Sequence, residues 1–393
     1  MTPGQRVFVH VGAPKTGTTF VQTVLWQHRD LLREHGVLYP GASYDDHFFA
    51  AVDLQQLPFH DAPRPESAGR WDELAATVRE WPGTTLLSHD VFASATAEQA
   101  ARAVADLAPA EVHVVVTARD LARQLPSHWQ EDVKHGSTEP LPEWYEAINR
   151  HDDGRWSWRW FWQTEDLPGV LARWGGSLPR ERVHLVTVPR PGAAPDTLWR
   201  RLCAVVGLDP TWCDPATAAG ANTGLGTAEV ELLRRVNVSL DGELTQPDYE
   251  HVVKGVLAHD TLARRRGHRV EAPAGSADET ERTARQWIAA VRDLGIDVAG
   301  DLDELLPASV PKPTAGPDEP AVADTAVWAI GQLLLRLHDE RRRHNAEVSQ
   351  LAAEAARRQA QLDEVHARLR RIDQHPLVRL RFRVREALSR SRA

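Results

Sequence analysis

Eight consecutive residues, Gly12-Ala13-Pro14-Lys15-Thr16-Gly17-Thr18-Thr19, bring together two glycines, three hydroxyls and a lysine. They follow an apolar run, Val7-Phe8-Val9-His10-Val11, and precede a helical pattern from Phe20 to Leu32, so the expected unit is strand, loop and helix start. Such a unit holds anions, because the first N–H groups of a helix have no intrahelical partner and the helix dipole favours negative charge there. Gly12 and Gly17 let the backbone turn tightly around the anion. Lys15 is one of only four lysines, with Lys134, Lys254 and Lys312, among 46 basic residues. In an arginine-rich chain a retained lysine points to a place where a compact ammonium follows a leaving-group oxygen and a planar guanidinium would not fit.

A second anion site is written in Thr117-Ala118-Arg119-Asp120, which ends the apolar run Val112 to Thr117, with Ser127 eight residues after Arg119. An arginine at the carboxyl end of a parallel strand lies on the face where open α/β sheets bind ligands. Its guanidinium grips phosphate with two N–H groups, and a serine hydroxyl donates to a third oxygen. Candidate proton acceptors lie in Asp45-Asp46-His47-Phe48-Phe49 and in Ser88-His89-Asp90, which ends the run Thr84 to Ser88. Histidine titrates near working pH, whereas a carboxylate needs burial or a partner to become basic. A histidine is therefore favoured, His89 slightly ahead of His47, with Asp90 able to orient it or to serve instead.

The first loop departs from the nucleotide motif G-x-x-x-x-G-K-[ST], since Thr18 stands where that motif needs lysine and the lysine has moved inside, to Lys15. Residues Pro14 to Thr19 resemble instead the 5′-phosphosulfate loop of the sulfotransferases, P-K-[ST]-G-[TS]-[TS], and Arg119 with Ser127 resembles their 3′-phosphate motif. The resemblance covers roughly residues 5 to 300, with a bacterial flavour in Trp129 to Gly136. It implies 3′-phosphoadenosine 5′-phosphosulfate (PAPS) as donor and transfer of its sulfuryl group, without metal, to a hydroxyl or amine of a carbohydrate, glycolipid or small metabolite. It also implies Lys15 on the bridging oxygen, Pro14, Lys15, Thr16, Gly17, Thr18 and Thr19 around the 5′-phosphate, and Arg119 and Ser127 on the 3′-phosphate. Asp45 to Phe49 is similar to an E-x-H-F-F segment of the glycan sulfotransferases, whose glutamate is the base. His89 falls near the catalytic histidine of the cytosolic ones. The R-K-G-x-x-G loop of the animal enzymes has no counterpart, and Arg264-Arg265-Arg266-Gly267 is the candidate substitute. Two other readings compete: a P-loop kinase of small molecules, in which Asp90 or Asp120 would hold Mg²⁺, and a non-catalytic scaffold with a vestigial nucleotide site.

The elements that position these residues are apolar strands alternating with amphipathic helices, with a fourth run at Arg182 to Pro189. This pattern predicts an α/β fold, a P-loop-type three-layer sandwich around a central parallel sheet, with a long C-terminal helix added. The expected boundaries are 1–303 for the α/β domain, 304–324 for a proline-rich linker, 325–375 for a long helix or coiled coil, and 376–393 for a basic tail. From Val327 to Ile372 apolar residues keep alternating three- and four-residue spacing, interrupted by Arg341, His344 and Arg358. That helix is expected either to pair with a copy of itself or to lie across the catalytic domain. Residues 368 to 392 carry nine arginines, which suits an anionic membrane surface or a solvated tail equally. Trp156, Trp158, Trp160 and Trp162 offer either an acceptor platform or ordinary packing, and Trp129 and Lys134 either edge the acceptor cleft or line a helix face. A formal charge of -9 argues against general nucleic-acid binding. Two cysteines, no apolar run of spanning length and no leader pattern point to the cytoplasm, with peripheral membrane contact left to the basic tail.

Overall fold

The computed structural model describes residues 4–57, 65–150, 154–218, 224–265, 267–273, 275–307 and 318–374. The four apolar runs become strands β1 (Arg6–Gly12), β3 (Thr84–Ser88), β4 (Glu111–Ala118) and β5 (Val183–Thr187). Two strands with no sequence signal join them, β2 (Val37–Leu38) and β6 (Asp297–Ala299). All pairings are parallel, in the order β2-β3-β1-β4-β5-β6. Helices cover both faces, and a long helix follows at the C-terminal side. A parallel sheet covered in this way buries both sides of each central strand, and β5 is accordingly buried along its whole length.

On one face Phe8, Leu86, Val115 and Val186 pack against α1 (Thr18–Gln27) and, after α2 (Leu121–Lys134), α3 (Trp156–Glu165) and α4 (Leu167–Gly175), against α5 (Thr197–Val206). On the other face α4 lies against β4, with α6 (Ala277–Leu294) packed on α4. The helix expected over Phe20 to Leu32 breaks at His28, whose Nδ1–H donates to the Val24 carbonyl at 2.9 Å, and a short helix Arg29–Glu34 continues. The helical sequence after Tyr249 winds as a π-helix over Glu250–Thr261.

The chain divides into two compact units, one ending at Ala326 and the next beginning at Val327. The final helix α7 (Glu319–Gln374) starts within the stretch expected to be linker, because Pro320 falls in its first turn, where no N–H is needed. Glu319 there pairs with Arg235 at 2.5 Å. The basic tail and residues 308–317 of the proline-rich segment, Lys312 included, lie outside the described residues. Among the described residues no helix is long and apolar enough to cross a membrane.

Because β1 lies between β3 and β4, the segments leaving the carboxyl ends of these three strands converge. They are the Gly12 to Gly17 loop, His89-Asp90 and Arg119.

Candidate active site

The loop after β1 is held in an unusual conformation. Gly12 and Gly17 have φ of 90°, and between them Lys15 has φ of 61°, a left-handed conformation that costs a lysine about 1–2 kcal/mol. Successive turns of opposite hand fold N–H groups into an anion-accepting concavity. Helix α1 begins there with no side-chain cap. Glycine is required at both hinges, since a Cβ on Gly12 would stand 2.8 Å from Asp90 Cβ and one on Gly17 would stand 2.6 Å from Leu198 Cδ2.

Beneath the loop runs a buried hydrogen-bond chain. Ser88 Oγ meets His10 Nδ1 at 2.8 Å, His10 Nε2 meets Thr117 Oγ1 at 3.1 Å, and Thr117 Oγ1 meets Thr16 Oγ1 at 2.5 Å. Thr16 Oγ1 also donates to the Ala13 carbonyl, and Ala13 N–H donates to the Thr117 carbonyl at 2.8 Å. Burial pushes the His10 pKa down to about 4, so the ring is neutral and links three strands to the loop. The Thr16 hydroxyl is thus turned into the fold, and that of Thr18 donates to Asp90 Oδ2 at 3.0 Å. Of the three hydroxyls expected around the 5′-phosphate, two are engaged inside the protein. The cradle is left to backbone N–H groups, to Lys15 and to the half-buried Thr19.

Lys15 Nζ lies 2.5 Å from Glu131 Oε2. The same oxygen is 3.3 Å from Lys134 Nζ, and Oε1 is 3.7 Å from Lys254 Nζ. Three of the four lysines in the chain therefore meet at one carboxylate. Burial pushes the Glu131 carboxyl up, but Lys15, Lys134, His135 and Lys254 outweigh it and hold the group well below the usual range. His135 donates from Nδ1 to the Glu131 carbonyl at 2.8 Å and receives Lys254 on Nε2 at 2.6 Å. Burial first, and Lys254 next, lower its pKa to about 4.

Helix α2 ties this cluster to the second anion site. Its Gln124 donates to the Pro14 carbonyl at 2.6 Å, fixing the loop from the side. Arg119, just before the helix, donates from Nη2 to the Arg123 carbonyl at 2.8 Å and to Ser127 Oγ at 3.1 Å. The eight-residue spacing thus brings the two predicted groups into contact. Arg119 Nε and Arg123 Nη2 are buried without a partner, which is a costly arrangement unless an anion accepts from them. Burial, then Arg123, lowers the Arg119 pKa to about 10, and Arg269 also acts on it. Of the basic run expected to replace the missing glycine-rich loop, Arg265 is bound to Glu229 at 3.1 Å and Arg266 lies outside the described residues. Arg269 is the later arginine whose charge reaches Arg119.

His47 and His89 differ in what their nitrogens do. His47 is 2% exposed; its Nε2 donates to the Pro40 carbonyl at 2.8 Å, and its Nδ1 accepts from Ser88 N–H at 3.1 Å. Both nitrogens serve the backbone, burial lowers the ring pKa to about 4, and the residue fixes the end of β3 rather than facing a substrate. His89 Nδ1 stands 3.1 Å from Val91 N–H and 3.3 Å from Asp90 Oδ1. One tautomer accepts from Val91; the other donates to Asp90 and leaves Nε2 with its lone pair. Burial lowers the His89 pKa.

The tryptophan run forms α3, where Trp156 and Trp160 stack in parallel at 5.6 Å with Trp156 60% exposed. Phe161 points inward, and Trp162 donates to the Ile148 carbonyl at 3.1 Å. Trp129 donates to the Glu139 carbonyl at 2.8 Å and is buried.

No protein-family model and no curated protein matches the chain. Among solved structures, a sulfotransferase from Alicyclobacillus acidocaldarius aligns with 64% of this chain and 100% of its own, at 16% identity and a TM-score of 0.38. At that score the fold rests on the strand order above. The class defined by the fold is a parallel α/β protein, with two candidate anion sites at the carboxyl edge of its sheet.

Proposed function

We propose that the protein is a sulfotransferase that uses PAPS as donor and a hydroxyl or amine of a carbohydrate, glycolipid or small metabolite as acceptor. The observation that carries this reading is the pairing of two cationic sites joined by α2: Lys15, paired with Glu131 beside an uncapped helix start, and Arg119 beside Ser127 with buried N–H groups lacking acceptors. These residues suit a ligand with one phosphate at each end of a nucleoside. Such a donor supplies a sulfuryl group on a phosphate leaving group. The backbone of the Gly12 to Thr19 loop holds the 5′ end, and Arg119, Ser127, Arg123 and Arg269 hold the 3′ end. Lys15 Nζ meets the charge that develops on the leaving oxygen, an electrostatic role that needs a preorganised cation. His89 Nε2 takes the acceptor proton, and Asp90 Oδ1 stabilises the resulting imidazolium through Nδ1–H.

Calorimetry with adenosine 3′,5′-bisphosphate (PAP) tests the reading. Metal-independent binding that is lost in Arg119→Ala supports it, and absence of binding overturns it.

A second reading is favoured by one observation, the hydrogen bond of Thr18 to Asp90. It places a carboxylate beside the loop, as a P-loop kinase needs for Mg²⁺, although Thr18 stands at that motif's lysine position and Thr19 at its hydroxyl position. Mg²⁺-dependent ATP binding in the same experiment would select it.

A further inference from the structure

The lysine cluster is larger than sulfuryl transfer needs. Lys15 comes from the phosphate loop, but Lys134 comes from the end of α2 and Lys254 from the π-helix. His259 follows Lys254 by five residues, the hydrogen-bond repeat of a π-helix, and its pKa is lowered by burial and then by Lys134. π-Helical turns are rare and recur at functional sites. Against these cations stand Glu131 and, four residues before Lys254, Glu250. Burial and the neighbouring ammoniums still hold Lys134 and Lys254 below the usual lysine range, despite the carboxylate they share. Lys134 is only 8% exposed. Three partly buried ammoniums against two carboxylates leave a surplus of positive charge, which an anionic ligand relieves.

We propose that the acceptor carries its own acidic group, a carboxylate, sulfate or phosphate, beside the hydroxyl or amine to be modified, and that Lys254 and Lys134 hold that group. The proposal rests on the sulfotransferase reading. Lys15 turns to the donor when it binds, and Glu131 keeps Lys134 and Lys254 oriented towards the acceptor. A neutral acceptor would leave the two ammoniums to share the single Glu131 carboxylate, with Glu250 acting on Lys254 alone.

Inorganic sulfate is the probe, titrated into protein saturated with PAP. The expected result is measurable sulfate binding that persists in Lys15→Gln and is weakened at least about tenfold in Lys254→Gln, the loss of one charge-assisted contact. PAP affinity in Lys254→Gln should match that of the parent, which reports an intact fold. Lys254→Arg should retain sulfate binding. If the PAP-loaded parent binds no sulfate, if Lys15→Gln alone abolishes binding, or if Lys254→Arg loses it as fully as Lys254→Gln, the proposal falls while the sulfotransferase reading stands. If PAP itself does not bind, both fall.

Discussion

Lys15 occupies a left-handed conformation, and its ammonium rests on the Glu131 carboxylate. A lysine held in that way is poised to change partner. In Lys15→Met the backbone cradle and Arg119 persist, so PAP should still bind within a few-fold, while kcat should drop by about 10²–10³, the usual effect of removing a charge-stabilising donor. Near-normal turnover measured by PAP release would remove Lys15 from its assigned role. His89 makes the second prediction at this scale. As a base it must be neutral, and burial lowers its pKa below 6.5, so kcat should stay flat from neutral pH to below 6.5 and then fall as the ring protonates. Asp90→Asn removes the carboxylate that raises this pKa and should move the acid limb to still lower pH. An unchanged limb in that variant would separate the limb from His89.

At the scale of the elements, His10, His47 and His135 act through burial rather than chemistry. His10, His47 and His135 are neutral in the fold with pKa values near 4, against 6.5 when exposed. Between those values the unfolded chain binds more protons than the folded one, so their contribution is complete above pH 6.5 and is lost as pH falls towards 4. Each contributes on the order of 3 kcal/mol at most. Asp132 opposes them, because burial raises its carboxyl to about 6 and its contribution is lost as pH rises through that value. The net expectation is a urea midpoint that drops between pH 7 and 4.5, with a shallower drop in His10→Gln. A midpoint independent of pH would contradict it. The same elements explain what the sequence reveals. Strands β1, β3, β4 and β5 are legible because burial on both faces demands continuous apolar runs, whereas β2 and β6, of two and three residues, exist only as edges of their neighbours. Lys15, Arg119 and Ser127 are legible because each lies at a fixed offset from a strand end. Glu131 meets Lys15 across 116 positions, a contact that only the packing of α2 on the loop creates. The scarcity of lysine was the one available signal, and it applies to Lys134 and Lys254 as much as to Lys15.

At the scale of the whole molecule, the described part of the second unit is helical, and its large apolar residues are mostly exposed. Val327 is 72% exposed, Ile330 57%, Leu334 60%, Leu337 60%, Val348 50%, Leu351 58%, Leu362 52%, Val365 51% and Leu369 52%. With α7 spanning 56 residues, about 84 Å at the helical rise, such a stripe is unfavourable in a lone helix. A second copy in the same heptad register would cover it. With Val327 at position a, Leu334, Arg341, Val348, Ala355, Leu362 and Leu369 fall at a, and Ile330, Leu337, His344, Leu351, Arg358 and Val365 at d. In a parallel pair the a side chain packs beside the preceding g residue of the other helix, so Arg341 meets Glu340 of the second copy and the most disruptive core position gains a counter-charge. In such a pair the polar layer at Arg341 and His344 would cost stability and fix the register. Sedimentation equilibrium should therefore give a concentration-dependent dimer. Leu351→Glu, at a d position away from the polar layer, should shift it to monomer while leaving PAP affinity unchanged, because the nucleotide residues belong to the first unit. A parent that sediments as a monomer at every concentration would show that two copies do not pair through this stripe.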